Sequence, residues 1–347
     1  MIDFSRFNSI FELTNYFSTE EKCRKAIFES RWDKNDVVCP FCGHHHCVSR
    51  TDGRFHCNHC KANFSVTVGT IFENTKISLR KWFLAMYLIS CHKKGISSVQ
   101  LATDISVTQK TAWFILHKVR TLFAQEDVTL TGVVECDEMY LGGRETNKHE
   151  SKKTEKTQGR STKTKTPIFG MTMVWKTEKV DTETGEVTEQ THTYEVAKKV
   201  ADTKACTLVP IIEHFVAEGS TVVTDELSAY NGLDKKYNHI FVRHGEKEFT
   251  VGCYSTNGIE GFWGHFKRMV FGTYHFVSSK YLQRYIDEAV YRWNTRKFEE
   301  QDRFTYMFEM ALSVFEPCMA DYICLRRRAM VLPSCCRYLL TVRRAIG

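Results

Sequence analysis

The spacing of hydrophobic and polar positions changes several times along this chain. Near the start, Cys23, Ala26, Ile27 and Trp32 recur at three- to five-residue steps behind Ser18-Thr19-Glu20-Glu21, which fits a capping box, so residues 1–31 predict helix. Residues 78–122 predict two or three helices. Ser78 can cap SLRKWFLAMYLISCHKK, which stops at Gly95. ISSVQLATDI and VTQKTAWFILHKVRTLF then follow, joined by a polar turn near 104–106 in the outline of a helix-turn-helix. From 131 to 230 the pattern becomes β-rich, with strands expected at Val133–Leu141, Ile168–Trp175, Thr191–Val196 and Ser220–Thr224 and a helix at Cys206–Ala217. Lys176–Gln190, with Gly185 at a turn, reads as a polar hairpin, and Arg144–Thr166 has no apolar periodicity. The fold class expected is α/β, organised as an α+β multidomain chain.

At 347 residues and 42% apolar content, two or three domains with real cores are expected. The longest apolar run, Trp82 to Ile89, has eight residues, against the ~18 a membrane span needs. MIDFSRFNSIFEL lacks the basic start and apolar core of a signal peptide, so a soluble intracellular protein is expected. Fourteen cysteines in such a chain point to metal ligation. Cys39-x2-Cys42 and Cys57-x2-Cys60, 14 residues apart, form two knuckles able to hold one tetrahedral Zn²⁺. With four protein ligands that zinc is structural. His44, His45, His46, His56, His59 and Cys47 crowd the site, but the pairs are complete without them. Cys91, Cys136, Cys206 and Cys253 read as small buried hydrophobes.

Three acids carry the candidate chemistry. Asp137 in VVECDEMYLGG and Asp225 in TVVTDELSAY end β-branched runs, and Glu260 opens an aromatic, basic segment with Lys267 seven residues on. Two strand-end carboxylates and one on a helix can hold two Mg²⁺ or Mn²⁺ ions for in-line attack on a phosphodiester. Glu135, Glu138 and Glu226 are rivals. Strand alternation places Asp137 with Glu135 and opposite Glu138, so periodicity leaves Asp137 and Glu135 undecided. If 257–268 is helical, Asn257, Glu260 and Lys267 fall within about 60° of one another. Gly258, Gly261 and Gly264 then suggest either a close approach by DNA or a strand or a frayed, non-helical start, and Trp263 and Phe266 read as core. The net charge of +7 is a modest pull toward polyanions. Candidate DNA contacts are Thr108, Gln109, Lys110, Lys118 and Arg120, with His117 beside them. Lys152 and Lys153 join them from the basic segment, which holds eight Lys or Arg against three Glu.

Taken together, the cysteine knuckles, FSVTVGTIFENTKISLRKWFLAMYL, KKGISSVQLATDISVTQKTAWFILHKVR, ECDEMYLGG, TDELSAY, TNGIEGFWGHFKR and GTYHFVSSKYLQRYIDEAVYRWNTR resemble the bacterial insertion-sequence transposases related to eukaryotic Merlin elements. The resemblance spans roughly residues 7 to 312. It implies a zinc-ribbon and helix-turn-helix head followed by a ribonuclease-H-like catalytic domain, with Asp137 (over Glu135), Asp225 and Glu260 as metal ligands and Lys267 as the basic residue after the Glu. Asn257 is an accessory candidate, because some relatives have Asn at the third acid. His244 fits a family motif without an assigned role. The activity implied is metal-dependent DNA cleavage and strand transfer on element ends and target DNA, by a dimer or larger assembly in the bacterial cytoplasm, or in the nucleus for a eukaryotic element. The alternative is a catalytically silent copy that survives as a sequence-specific DNA-binding protein. The expected domains are 1–36 helical, 37–75 zinc ribbon, 76–125 helix-turn-helix, 130–312 catalytic with insertion 144–166, and a tail, 313–347, that resembles nothing and whose cysteines lack paired spacing.

Overall fold

A computed structural model describes residues 7, 9–32, 36–125, 128–142, 149–153, 162–180, 187–243 and 250–312. His244, most of the basic segment and the tail lie outside them. The chain divides into two compact units, one reaching Leu122 and resuming at Lys297, the other Phe123–Arg296. No helix among the described residues is long and apolar enough to cross a membrane.

The first unit opens with α1 (Ile10–Tyr16) and α2 (Glu20–Arg31). Thr19 caps α2 by accepting from the Lys22 N–H, and Cys23, Ala26 and Ile27 are the buried face, as the spacing predicts. Next come three two-residue antiparallel strands in sheet order, β1 (Val48–Ser49), β2 (Phe55–His56) and β3 (Asn63–Phe64). Trp32 packs on Phe55 and Phe64, with centroids at 5.4 and 6.1 Å, which seats this ribbon on the end of α2. The helices α3 (Leu79–Cys91), α4 (Ser98–Asp104) and α5 (Gln109–Arg120) follow. Ser78 makes no side-chain cap bond to α3. Glu20 takes that role: it accepts from the Ser78 hydroxyl and, at 3.1 Å, from the Leu79 N–H. A carboxylate at a helix start is favoured by the N-terminal partial charge.

The second unit is a five-stranded mixed sheet. β4 (Val133–Gly142), β5 (Lys165–Val180) and β6 (Val187–Lys199) form an antiparallel meander. The expected polar hairpin is the far end of the β5–β6 pair, whose last register partners are Val180 and Val187. After α6 (Ala205–Phe215), β7 (Thr221–Thr224) runs parallel to β4, and β8 (Asn238–Phe241) parallel to β7. The order is β6-β5-β4-β7-β8. A small hairpin, β9 (Thr250–Val251) and β10 (Tyr254–Ser255), leads into α7 (Asn257–Met269), which passes through a π-helical turn before α8 (Leu282–Asn294). Ile259, Phe262, Trp263 and Phe266 of α7 pack with Leu282 and Ile286 of α8 against Met139, Leu141 and Ile168 of the sheet.

The last described helix, α9 (Glu300–Leu312), returns to the first unit. Phe308 meets Phe83 edge-on at 5.1 Å, Phe304 meets Tyr87 at 5.6 Å, and Arg303 donates to the Ser90 carbonyl at 3.0 Å. The second compact unit ends at Arg296, and the aromatic face of α9 is buried with α3 in the first. Truncating Phe308 to Ala is expected to cost about 3–5 kcal/mol. The check is a fall in the urea midpoint of the first unit, with that of the second unchanged.

Candidate metal centre and catalytic site

Each knuckle of the ribbon is a tight turn that places its two cysteines side by side. Cys39 Sγ lies 3.6 Å from Cys60 Sγ, and Cys42 Sγ lies 3.6 Å from Cys57 Sγ. All four sulfurs fall within 4.8 Å of one another. Zn–S bonds of ~2.3 Å in a tetrahedron give S···S edges of about 3.8 Å, so these thiols, standing in for thiolates, fit Zn²⁺. Cys57 Sγ also accepts from the Cys60 N–H at 3.5 Å, the kind of backbone bond that stabilises a ligating thiolate. Cys47 instead bonds the His44 carbonyl through its thiol, at 3.6 Å.

In the second unit, Asp137 and Asp225 arrive from neighbouring parallel strands. Their ligand oxygens, with one from Glu138, lie within 4.8 Å of one another. Glu138 was expected to point away. The β4–β7 pairing stops at Glu135 opposite Val223, so beyond it β4 has a strand on one side only. A side chain from the far face can reach around the end of β7 there, and Glu138 is held by the Tyr230 hydroxyl. Asp225 accepts from the Leu227 N–H at 3.0 Å, which fixes its loop. Glu226 is exposed.

α7 supplies the rest. Trp263 Nε1 donates to Asp137 Oδ2 at 3.0 Å, leaving the other carboxylate oxygen for a cation. Burial first, then the charges of Asp225 and Glu260, push the Asp137 carboxyl up to about 6, against the opposing bonds from the Glu138 N–H and Trp263. Glu260 is exposed on the first turn, accepts from the Thr256 hydroxyl at 3.0 Å, and stands outside the three-carboxylate cluster while adding to its field. Asn257 and Lys267 are exposed on the same helix. Trp263 and Phe266 are buried, as read from the sequence. Of the three helix glycines, Gly258 has the close approach: a Cβ there would lie 2.8 Å from Glu135 Oε2.

Glu135 is occupied otherwise than Asp137. Its Oε2 accepts from the Ile259 N–H at 2.9 Å, and its carboxylate also takes the Gly258 N–H. Burial first, with the charge of Glu260, raises it to about 7 against those two bonds. Sequence reasoning also passed over Gly170, opposite Asp137 on β5, where a Cβ would meet Ile259 and Trp263 at 2.7 Å. A glycine inside the strand pattern PIFGMTM was the available signal for such an approach.

On the head, Thr108, Gln109 and Lys110 form the exposed start of α5, where Thr108 caps the helix and Gln109 ties to Ser98 at 2.8 Å. Lys118 is partly buried, with Nζ directed to the Glu73 carbonyl at 3.4 Å and lying over the Trp82 and Phe114 rings. Arg120 is a correction: it is 2% exposed, because it lies one turn beyond Leu116 on the buried face. His117 is buried too. Lys153 pairs with Glu150 at 2.6 Å, and Lys152 closes the same short 3-10 turn.

Comparison with known proteins now gives the class. Residues 18–63 match the transposase zinc-ribbon domain, and residues 129–294 match a transposase domain of the insertion-sequence kind. The latter is the ISXO2-like transposase domain, so over these two segments the chain is similar to zinc-ribbon transposases. It is 29% identical over 259 residues to an uncharacterized protein in transposable element ISH50 of Halobacterium salinarum, covering 70% of this chain and 81% of that one. It also matches a chain of a simian T-cell lymphotropic virus intasome in complex with PP2A regulatory subunit B56 gamma, at 13% identity and a TM-score of 0.22. That match covers 61% of this chain and 65% of the other's length, and at that score no argument rests on it.

Proposed function

We propose that this transposase binds the terminal inverted repeats of its insertion sequence and cleaves and joins DNA strands at the carboxylate cluster of its second unit. The observation that carries the reading is the convergence of Asp137 and Asp225 from adjacent parallel strands, with Glu260 in the field of Asp137. The strand order, three antiparallel then two parallel with the acids on β4 and after β7, supports a ribonuclease-H-like sheet. Asp137 and Asp225, with Glu260 as the third acid and Glu138 beside it, would hold two Mg²⁺ or Mn²⁺ ions. Such ions would supply an activated water or 3′-hydroxyl and neutralise the leaving oxygen. Trp263 fixes the rotamer of Asp137. Lys267, about 10 Å along the helix axis from Glu260, is placed to follow the DNA backbone. On the head, Thr108, Gln109 and Lys110 offer phosphate and base-edge contacts from the start of α5, and Lys153 adds charge. Both element ends must be held at once, so a dimer or larger assembly is part of the proposal.

The test is a cleavage and joining assay with zinc-loaded protein, labelled DNA carrying the ends that flank the gene, Mg²⁺ or Mn²⁺, and the Asp225→Ala variant. Cuts at the element boundary plus joined products, absent in a variant that still binds the ends, are the expected result. Binding without cutting by either protein would identify a silent DNA-binding copy. Nicking with no joined product would identify a nuclease.

A further inference from the structure

Glu135 sits two residues before Asp137 on the same face of β4, and its carboxylate is spent on backbone. It accepts from the Ile259 N–H at 2.9 Å and from the Gly258 N–H. Both donors belong to the first turn of α7, the turn that presents Glu260. Thr256, immediately before α7, offers no side-chain bond to the helix N–H groups and donates its hydroxyl to Glu260 instead. The first turn of α7 is thus capped from the sheet, across 124 residues of sequence. The fit is close on both sides. A Cβ at Gly258 would lie 2.8 Å from Glu135 Oε2, and a Cβ at Gly170 would press on Ile259 and Trp263 at 2.7 Å. Glu135 itself is 5% exposed.

We propose that Glu135 is a positioning residue for the cleavage reaction: by holding the Gly258 and Ile259 amides it fixes the start of α7 on β4, so that Glu260 and Trp263 meet Asp137 in one register. The inference rests on the reading of Asp137, Asp225 and Glu260 as the cleavage site. Carboxylates that orient ligands from behind usually change metal affinity or rate 10- to 100-fold when altered.

Two substitutions approach the contact from opposite sides in the full chain, Glu135→Gln and Gly258→Ala. The alanine improves helix propensity, so a purely local helix effect would leave the site intact or improved. If the contact positions the site, both variants keep end-DNA binding and a cooperative unfolding transition, while the amides of Gly258 and Ile259 exchange faster. Their midpoints for Mn²⁺, read by calorimetry and by cleavage, move up tenfold or more. Wild-type cleavage with unchanged Mn²⁺ midpoints and unchanged exchange in both variants would overturn the positioning role and leave the proposed function standing. Faster amide exchange with unchanged midpoints would overturn it also, reducing Glu135 to a helix cap. Absence of Mn²⁺ binding and of cleavage in the wild type would instead bring down the site reading, and the inference with it.

Discussion

Asp137→Asn is expected to make the protein more stable at pH 8 in the absence of added Mg²⁺ or Mn²⁺, while removing about a thousandfold or more of the strand cleavage proposed for it. The cause is the burial of its carboxyl, joined by the like charges of Asp225 and Glu260. Burial first, and then those like charges, hold Asp137 near 6 in the folded state, above its ordinary 3.8. For a carboxyl raised in this way, the folded state is favoured fully below about pH 4, and that advantage is lost as pH rises through about 6. Two units correspond to about 3 kcal/mol at most, and Glu135, raised from 4.5 to about 7, acts in the same direction. Wild-type protein should therefore unfold more easily at pH 8 than at pH 5, and the Asn variant, which can still accept from Trp263, should show a smaller difference. Mn²⁺ should restore wild-type stability at pH 8 and do little for the variant. Urea midpoints of the zinc-loaded proteins at the two pH values are the measurement. A wild type more stable at pH 8 than at pH 5, with no response to Mn²⁺, would contradict the assignment.

Removing the zinc ligands should be as severe, and confined to the head. The ribbon has three described strands of two residues each, too little sheet to hold itself, and the sulfurs of Cys39, Cys42, Cys57 and Cys60 gather within 4.8 Å of one another. Metal binding in such sites contributes about 10–16 kcal/mol that is in effect folding free energy. Cys57→Ser, or a zinc chelator, should therefore give rapid amide exchange across residues 36–66 and abolish end-DNA binding. Mn²⁺ binding in the second unit should persist. Retained exchange protection in the ribbon after the zinc is gone would show that the aromatic packing of Trp32, Phe55 and Phe64 suffices without it.

Much of this was legible in the residues. The knuckle spacing gave the sulfur cluster, and the three- and seven-residue steps from Asn257 gave α7 with its exposed polar face. The β-branched runs gave β7 with Asp225 just past its end, and β4 with Asp137 in its middle and not at its tip. What escaped depends on distant partners. Nothing local distinguishes Glu135 from Asp137, and the difference lies in two amides more than a hundred residues away. Glu138 joined the cluster because β7 is short, a fact of register and not of alternation. Ser78 looked like a cap, yet Glu20 from another helix does that job. Arg120 was readable in principle: four residues after Leu116, it shares the buried face of α5, and its charge obscured that.

The return of α9 to the head bears on how the chain is made. Synthesis proceeds at about 5–20 residues per second, so many seconds separate the emergence of Phe83 from that of Phe308. Until Phe304 and Phe308 arrive, the aromatic surface of α3 has Phe17 and Phe72 against it but no cover from α9, while the described strands of the second unit have already left the ribosome. The unit that carries the zinc ribbon is thus completed last, and a message cut short before α9 yields a product whose first unit lacks part of its core. Aborted translation would then leave a first unit without the α9 side of its core, and so no stable fragment.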